Sequence, residues 1–393
     1  MKNYNFDEII DRRHTDSVKW DGMQEVWGRT DLIPLWVADM DFATAPFIIE
    51  AIQKRCENPV LGYTCKPDGY YEAIIRWNRM RYGLEVEKEM IGFVPGIVPG
   101  IGMALNAFTE KGDKVMIQPP VYHPFRWLVE RNERTLVTSP LKWEDGMLRM
   151  DMENFRTQIK GCKVFILCNP HNPGGIVWKE EELQQVADIC YEEGVLVFSD
   201  EIHADLTLPP YQHRPFATIS EKARMNCVTF MSPSKAFNMP GLTASHTLIF
   251  NGKLRRKFRK HMDAGEFDLG HAFAFLAVEA AYSNGTEWLE QCLAYIQGNI
   301  DYVDHFLQAN VPKIKVIRPQ ASYLIWLDCR EMGLSQEELN RFFVEEARLA
   351  LNDGAMFGEE GVGFMRLNIA SPRSVIEQAM KQLCEAYVAY KSL

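Results

Sequence analysis

The sequence predicts an α/β protein with a large, mostly parallel sheet and a smaller α+β domain at its C-terminal end. Between residues 90 and 228, short apolar runs alternate with helical patterns, as expected for a parallel sheet that helices cover on both faces. A long helical region from 270 to about 307 then leads to a second group of short strands and helices. With 393 residues, of which 47% are hydrophobic, the chain is long enough for two domains.

These patterns divide the chain into three parts. We expect a large domain over residues 45–285 and a small domain over 286–393, with the polar, Trp-rich segment 1–44 joining the small domain. The small domain is predicted to contain strands at 313–318, 322–327 and 363–370, and helices at 335–348 and 374–390.

Helix and strand signals follow one another through the large domain. A helical pattern covers 45–56, with Pro46 suited to its first turn. Turn residues crowd 62–69, which predicts an exposed loop carrying Tyr63 before a helix that starts near residue 70. A glycine turn at 96–100 leads to a helix over 101–108, with Pro99 suited to its first position.

Apolar runs predict the seven strands of the sheet: 91–94, 114–118, 134–137, 163–168, 195–199, 226–230 and 247–250.

The charge of the chain limits its partners. A net charge of −10 and a pI near 5.5 argue against nucleic acid or an anionic membrane as the main partner, because both would repel such a surface. The basic run at 255–260 is interpreted as a solvated helix face. The N-terminus has no apolar core of signal-peptide length and no apolar run reaches a membrane span, so we expect a cytoplasmic protein.

The cysteines indicate neither a metal site nor a disulfide framework. There are nine of them, an odd number, and none forms a Cys-x-x-Cys pair. We interpret them as buried thiols in a reducing compartment, and we expect no bound metal.

Functional residues are expected where the strands end, because ligands of such sheets bind at the carboxyl ends of the strands. The apolar run at 228–231 is followed by Ser232, Pro233, Ser234 and Lys235, which would place an amine beside hydroxyls able to hold a phosphate. An aldehyde cofactor needs that arrangement. A Ser-Lys pair after a strand is more often part of a solvated loop. The residues at the other strand ends must therefore decide between a cofactor site and a loop.

Two other strand ends offer an anion site and an aromatic ring. The glycine turn after 91–94 would leave the backbone N–H groups of Ile97 and Val98 free for an anion, aided by the helix dipole, although a plain tight turn is an equal alternative. Tyr122, after 114–118, could stack on a planar heterocycle, and core packing is nearly as well supported.

Two more strand ends offer an amide and a carboxylate. Asn172 lies in a Pro- and Gly-rich turn that could also form without a ligand. Asp200 ends a buried strand and needs a partner there, such as the protonated ring nitrogen of a cofactor, unless it simply caps the next helix. Together the five strand ends supply an anion cradle, a ring, an amide, a carboxylate and an amine, which is the set that holds pyridoxal 5'-phosphate.

Further motifs carry a family resemblance. They are DRR at 11–13, KWD at 19–21, WVADMDF at 36–42, SDEIH at 199–203 and FMRLN at 364–368. With the strand ends, they make the chain similar to the fold-type I pyridoxal-phosphate enzymes of the class I/II aminotransferase superfamily, which share the aspartate aminotransferase-like fold. Within that superfamily the chain most resembles the cystathionine β-lyase branch of carbon–sulfur lyases, and the match covers about residues 7–370.

The resemblance implies a role for the residues around the cofactor ring. Lys235 would carry the cofactor as a Schiff base, Asp200 would pair with the pyridine nitrogen, and Tyr122 would stack on the ring. Asn172 would bond the phenolic oxygen, and His203 stands where many relatives have tyrosine.

It also implies how the phosphate is held. Ile97, Val98 and Ser232 would meet the phosphate, with Tyr63 reaching in from a second subunit. The resemblance therefore implies a homodimer with shared active sites.

The resemblance places the amino acid substrate near the C-terminal strand. Arg366 would clamp the substrate α-carboxylate in a bidentate pair, and Ala38 would also contact the substrate. Thr243 stands where aminotransferases usually have an arginine, a departure that agrees with the lyase branch.

The implied activity is cleavage of cystathionine or a related cysteine S-conjugate to a thiol, pyruvate and ammonia. An aminotransferase is the alternative, because removal of the α-proton by Lys235 is common to both reactions. A protein that keeps the fold but acts by binding a regulatory partner is a third interpretation, and the presence of Lys235, Asp200 and Arg366 argues against lost catalysis.

Overall fold

The computed structural model describes residues 2–391 and shows an α/β architecture. The helices are α1 (Met23–Trp27), α2 (Pro46–Cys56), α3 (Asp68–Tyr82), α4 (Ile97–Phe108), α5 (Pro124–Arg131), α6 (Met152–Gln158), α7 (Glu180–Glu192), α8 (Glu221–Met225), α9 (Gly252–Ala264), α10 (Ala272–Asn284), α11 (Thr286–Asn310), α12 (Gln336–Arg341) and α13 (Arg373–Lys391). The strands are β1 (Ile33–Pro34), β2 (Ile91–Val94), β3 (Lys114–Ile117), β4 (Thr135–Thr138), β5 (Lys142–Glu144), β6 (Met147–Arg149), β7 (Cys162–Cys168), β8 (Leu196–Asp200), β9 (Cys227–Met231), β10 (Ser245–Leu248), β11 (Lys315–Ile317), β12 (Leu324–Asp328), β13 (Leu349–Ala350), β14 (Asn352–Asp353) and β15 (Phe364–Asn368).

The large sheet has seven strands in the order β2-β10-β9-β8-β7-β3-β4. Only β10 runs antiparallel to its neighbours. The prediction of a mostly parallel seven-stranded sheet is confirmed, and the predicted strand ends differ from the observed ones by at most one or two residues.

Alternate side chains of the central strands pack on opposite faces of this sheet. Val164 and Phe198 belong to an apolar cluster with residues of α4, α5 and α9, whereas Phe165 and Val197 belong to the larger core with α3, α7, α10 and α11. Every residue of β8 and β9 is buried, as expected when helices cover both faces of a parallel sheet. The carboxyl ends of these strands therefore remain as the place where polar side chains can meet a ligand.

A second, four-stranded antiparallel sheet has the order β11-β12-β15-β14. The N-terminal segment lies against this part of the chain: β1 pairs with β13, the Leu35 N–H donates to the Ala350 carbonyl at 2.9 Å, and the Asn368 N–H donates to the Leu35 carbonyl at 2.9 Å. The exact domain limits remain a prediction.

Several local predictions need correction. Helix α4 begins at Ile97, four residues before the predicted start at 101, so Pro99 is its third residue and not its first. Proline is tolerated throughout a first turn, because the N–H groups there have no acceptor within the helix. The helical region from 270 is two helices, α10 and α11, separated at Gly285, where a Cβ would lie 2.3 Å from the Ala281 carbonyl oxygen.

The cysteine prediction is correct for six of the nine thiols. All nine are free, but Cys56 and Cys65 are exposed and Cys384 is partly exposed. Cys56 ends α2 and Cys65 lies in the exposed loop before α3, where no core is available to cover them.

The basic run lies on α9 with Lys257, Arg259 and Lys260 exposed, which confirms the predicted solvated face. Across residues 2–391, no helix is both long and apolar enough to cross a membrane.

Candidate active site

A cavity of about 270 Å³ lies at the carboxyl ends of the large sheet. The segments after β2, β3, β7, β8 and β9 all contribute to its wall. The structure brings eight of the predicted site residues together as lining residues: Ala38, Ile97, Val98, Tyr122, Asn172, Asp200, His203 and Lys235. Three others, Ser232, Arg366 and Tyr63, do not line the cavity.

Lys235 points its amine toward the N-terminal segment. Its Nζ donates a hydrogen bond to the Ala38 carbonyl at 2.6 Å, and the hydroxyl of Tyr323 donates to the same oxygen at 2.9 Å. Burial lowers the pKa of Lys235 to about 8, with opposing contributions from the carboxylate of Asp39, which raises it, and the guanidinium of Arg366, which lowers it. The neutral amine that a nucleophile or base requires is therefore more accessible near neutral pH than in an ordinary lysine.

Asp200 is the last residue of β8 and is buried. Its Oδ1 accepts a hydrogen bond from the Ile202 N–H at 3.1 Å, and among residues 2–391 it has no ion-pair partner. Burial raises the pKa of Asp200 to about 7. A cation placed in the cavity would stabilise the charged carboxylate, because an opposite charge at a buried site lowers the pKa of the acid.

The N-terminus of α4 forms one wall of the cavity. Gly96 caps the helix with φ of 111°, a backbone conformation that favours glycine, and a Cβ at this position would lie 3.3 Å from the Pro99 ring. The N–H groups of Ile97 and Val98 begin the helix and have no acceptor within it. This end of the cavity is suited to an anion.

The two serines before Lys235 have different positions. Ser234 lines the cavity, whereas the Ser232 hydroxyl donates to the Ala244 carbonyl at 2.7 Å and lies 2.9 Å from the Ser234 hydroxyl. The Ser234 N–H donates to the Ser232 oxygen at 3.1 Å. Ser232 therefore orients Ser234 and the turn, and Ser234 is the serine that faces the cavity. Thr243 also lines the wall, with a left-handed φ of 47°.

His203 and Asn172 meet the middle of the cavity. His203 is buried and its Nδ1 has no hydrogen-bond partner among the described residues, while burial lowers its pKa to about 3 and keeps the ring neutral. Asn172 Oδ1 accepts a hydrogen bond from Arg366 Nη1 at 3.1 Å. Burial also raises the pKa of Tyr122, which stays a neutral aromatic wall.

Arg366 lies behind Asn172 and is buried in β15. Its Nη2 donates to the Trp36 carbonyl at 3.0 Å and to Asn352 Oδ1 at 2.5 Å. The Nε atom is buried without a partner among the described residues, and burial lowers the pKa of Arg366 to about 10. No carboxylate of residues 2–391 forms an ion pair with this guanidinium, so its charge is available for one.

Tyr63 is far from this wall within one chain. It is fully exposed in the loop between α2 and α3, where it contributes to a surface depression with Leu61 and residues 269–273. A single chain therefore does not bring Tyr63 to the cavity.

Sequence reasoning missed the contacts that hold the segment 36–42, which we call the strap. Asn238 donates to the carbonyls of Met40 and Phe42 at 3.0 and 2.7 Å. Asn368 donates to the carbonyls of Val37 and Asp39 at 2.6 and 2.7 Å. Asn368 belongs to the FMRLN motif and Asn238 follows Lys235 by three positions, but no local pattern indicates that they bind a segment about 330 or 200 positions away.

Comparison with known proteins gives relatives over nearly the whole chain. Cystathionine beta-lyase PatB of Bacillus subtilis (strain 168) is 42% identical over 381 residues, covering 96% of this chain and 98% of the relative. Protein MalY of Escherichia coli (strain K12) is 33% identical over 393 residues, covering 99% of this chain and 100% of the relative.

Solved structures share the fold. Cystalysin from Treponema denticola, which contains a pyridoxal 5'-phosphate cofactor, has a TM-score of 0.95 at 33% identity, covering 99% of this chain and 100% of its own. The PLP-bound C-S lyase from Staphylococcus hominis has a TM-score of 0.90 at 35% identity, covering 98% of this chain and 99% of its own. The fold is therefore that of the fold-type I pyridoxal-phosphate enzymes, as predicted. Residues 30–383 match the model of the family described as aminotransferase class I and II, and the chain belongs to that family.

Proposed function

We propose that this protein is a pyridoxal 5'-phosphate-dependent carbon–sulfur β-lyase that cleaves cystathionine or related cysteine S-conjugates to a thiol, pyruvate and ammonia. The observation that carries the proposal is the half-buried amine of Lys235 in one cavity with the carboxylate of Asp200, which has no ion-pair partner among residues 2–391. The relatives named as cystathionine β-lyases, which match this chain end to end, support the reaction type.

The cavity residues fit this cofactor. The free N–H groups of Ile97 and Val98 would hold the phosphate together with the hydroxyl of Ser234, which Ser232 orients. Among the residues that the structure describes, Asp200 has no cationic ion-pair partner, which leaves it ready for a protonated ring nitrogen.

The remaining side chains complete the fit. Tyr122 would cover one ring face, Asn172 would bond the phenolic oxygen, and the neutral His203 would lie beside the ring. Lys235 would bind the aldehyde covalently. When bound, the cofactor supplies an electron sink that stabilises negative charge at the substrate α-carbon.

Lys235 would act as the base once the substrate amine has displaced it. Its depressed pKa makes the neutral amine accessible, and Nζ takes the proton from the α-carbon. The sulfur then leaves the β-carbon with the electron pair of the C–S bond. Hydrolysis of the released three-carbon product yields pyruvate and ammonia.

Arg366 would orient the substrate. Its guanidinium has a buried, unpaired Nε and no carboxylate partner among residues 2–391, and it lies one hydrogen bond from Asn172 at the cavity wall. A substrate α-carboxylate would satisfy both the charge and the free donor in a bidentate pair. The strap residue Ala38 lines the cavity beside it.

We also propose a homodimer in which Tyr63 completes the partner's site. The loop around Tyr63 exposes Val60 and Leu61, both of which are about two-thirds accessible in one chain. Such an apolar loop is suited to a protein interface. Mixing inactive Tyr63→Phe and Lys235→Ala chains should restore activity in hybrids, and a fully active monomer would contradict this arrangement.

Two further proposals concern the whole chain. We place the boundary between the domains at 285/286, with 1–44 joining the small domain, because β1 pairs with β13 and the chain breaks its helix at Gly285. We place the enzyme in the cytoplasm, because all nine thiols are free.

One incubation separates the lyase from an aminotransferase, which the family match keeps as the second candidate. With cystathionine and no 2-oxo acid, a lyase forms many equivalents of pyruvate while the yellow absorbance persists. A single stoichiometric loss of colour, reversed by a 2-oxo acid, would show that the chain is an aminotransferase instead.

A further inference from the structure

A partly buried cluster of four charged side chains, two of them on the strap itself, lies next to the Lys235 amine. Lys19 is completely buried and its Nζ donates to Asp41 Oδ2 at 2.7 Å. Arg12 pairs with Asp39 through two hydrogen bonds of 3.1 and 2.6 Å and with Asp41 at 2.9 Å. The cluster contains two cations and two carboxylates, so its charges balance.

Arg12 links three consecutive strap residues. Its Nη1 donates to Asp39 Oδ1, to the Met40 carbonyl at 3.1 Å and to Asp41 Oδ1. Asp39 directly follows Ala38, whose carbonyl oxygen accepts the hydrogen bond from Lys235. The guanidinium thus holds the side chain one residue away, and the backbone carbonyl two residues away, from the acceptor of the reactive amine.

Other side chains hold the strap without contributing any charge. Asn238 and Asn368 bind its carbonyl groups, and Ser371 donates to Asp41 Oδ2 at 2.6 Å. None of these neutral contacts can offset the negative charge of Asp39. Arg12 makes the direct hydrogen bonds to the Asp39 carboxylate, whereas Lys19 Nζ lies 3.8 Å from Asp39 Oδ1, donates to Asp41 and reaches the Asp39 carbonyl at 3.4 Å.

We propose that Arg12 is a positioning residue for Lys235, which acts by holding Asp39 and the Ala38 carbonyl in place and by balancing the Asp39 charge. This inference rests on the proposed role of Lys235 as the base. It assigns a function in the active site to a residue of the first turn-rich segment of the chain, outside the strand ends.

The electrostatic consequence has a definite sign. The groups that bear on the Lys235 amine are Asp39 from the strap, Asp200 from β8, Arg366 from β15, the neutral His203 after β8 and the Tyr323 hydroxyl before β12. Asp39 and Asp200 raise the pKa of Lys235, and Arg366 lowers it. Without Arg12, the unbalanced Asp39 carboxylate favours the charged ammonium, so the pKa of Lys235 rises. Without the Asp39 charge, it falls.

The experiment measures the pKa of Lys235 directly in the cofactor-free protein. Competitive acetylation of the full chain across a pH series, read by mass spectrometry of the Lys235 peptide, gives the apparent pKa of this amine. We expect Arg12→Gln to raise it by roughly one unit and Asp39→Asn to lower it by roughly one unit. Arg12→Lys should bring the pKa of Lys235 part of the way back to its original value. Lysine returns the positive charge but cannot form the paired hydrogen bonds of a guanidinium.

Arg29→Gln is the matched control, because Arg29 makes a similar two-bond pair with Asp31 in an exposed position of the same segment. It should leave the Lys235 pKa unchanged. In the cofactor-loaded enzyme, the rising limb of the pH profile of pyruvate release should shift in the same direction as each measured pKa.

Two results would overturn the inference. One is an unchanged Lys235 pKa in folded Arg12→Gln and Asp39→Asn proteins, which would leave Arg12 a purely structural residue. The other is a shift of the same sign in both variants. If Arg12→Gln does not fold, the Asp39→Asn variant alone is the test. A pKa of Lys235 that does not fall in that variant would overturn the inference. Since the labelling needs neither cofactor nor substrate, a failure of the proposed lyase activity would appear separately, as absent pyruvate with the expected pKa shifts.

Discussion

The two walls that meet at Lys235 are built differently. On one side, Asp200 and the α4 N-terminus are fixed by strands and a helix whose backbone hydrogen bonds are regular and local. On the other side, none of the seven residues of the strap belongs to a β-strand. Side chains from distant parts of the chain hold it instead. The first wall supplies the reactive groups, and the second supplies their alignment. Changes to the first wall should therefore abolish chemistry, while changes to the second should reduce it.

The largest effect should come from removing the amine at the junction of the two walls. Lys235→Ala should lower pyruvate formation by roughly 10³-fold or more, because both the covalent attachment point and the base are lost. Borohydride trapping followed by mass spectrometry tests the attachment, with Lys66 and Lys253 as internal controls. Trapped cofactor on another lysine would contradict the site.

Removing the carboxylate of the strand wall should have the next largest effect. Asp200→Ala should cost roughly 10²–10³-fold in kcat, or about 3–4 kcal/mol, because a preorganised charge opposite the ring nitrogen is lost. Asp205→Asn is the control, since Asp205 is equally buried but bonds Trp77 and Tyr82 outside the cavity. Turnover and the absorbance spectrum should be disturbed in the first variant only.

Changing the substrate clamp should affect binding more than chemistry. Arg366→Lys should raise KM for the amino acid by about 10- to 100-fold, because a charged, bidentate interaction of about 1.5–3 kcal/mol is lost. The cofactor spectrum should remain unchanged. Arg373→Lys, which alters a partly buried arginine bonded to Asn299, should leave KM as it is. An unaltered KM in Arg366→Lys would assign carboxylate binding to another residue.

Loosening the strap should give the smallest of these effects. Asn368→Ala removes the donors to the Val37 and Asp39 carbonyls, which flank Ala38, and should destabilise the protein by about 1–3 kcal/mol. We expect kcat to fall about tenfold while the Lys235 attachment remains intact. Thermal unfolding and steady-state kinetics would show both changes, and Asn310→Ala on the exposed end of α11 is the control, expected within about 0.5 kcal/mol. A loss as large as that of Asp200→Ala would remove the distinction between the walls.

The same distinction explains what the sequence could predict. Lys235, Asp200, Tyr122 and Asn172 follow apolar runs directly, so the strand pattern is enough to place them at one sheet edge, and the structure does so. The strap contacts depend on packing between positions far apart in the chain, and no periodicity indicates them.

Smaller differences have local causes. Because proline is allowed anywhere in a first turn, Pro99 could not mark the start of α4. Ser232 and Ser234 are chemically equivalent, and only the Ala244 carbonyl decides which one turns away from the cavity. The β5–β6 hairpin was missed although its turn carries Asp145-Gly146, both with positive φ, which is a typical hairpin signal.

The hydrogen bond between Arg366 and the Trp36 carbonyl joins positions 330 residues apart. A ribosome releases the chain from the N-terminus, so the strap partners Arg366 and Asn368 exist only after nearly the entire protein has been synthesised. The large sheet between β2 and β10 can form earlier from its own residues, whereas the complete substrate pocket belongs to the last stage of folding. We therefore expect nascent chains that end before β15 to be collapsed and helical but unable to bind an amino acid.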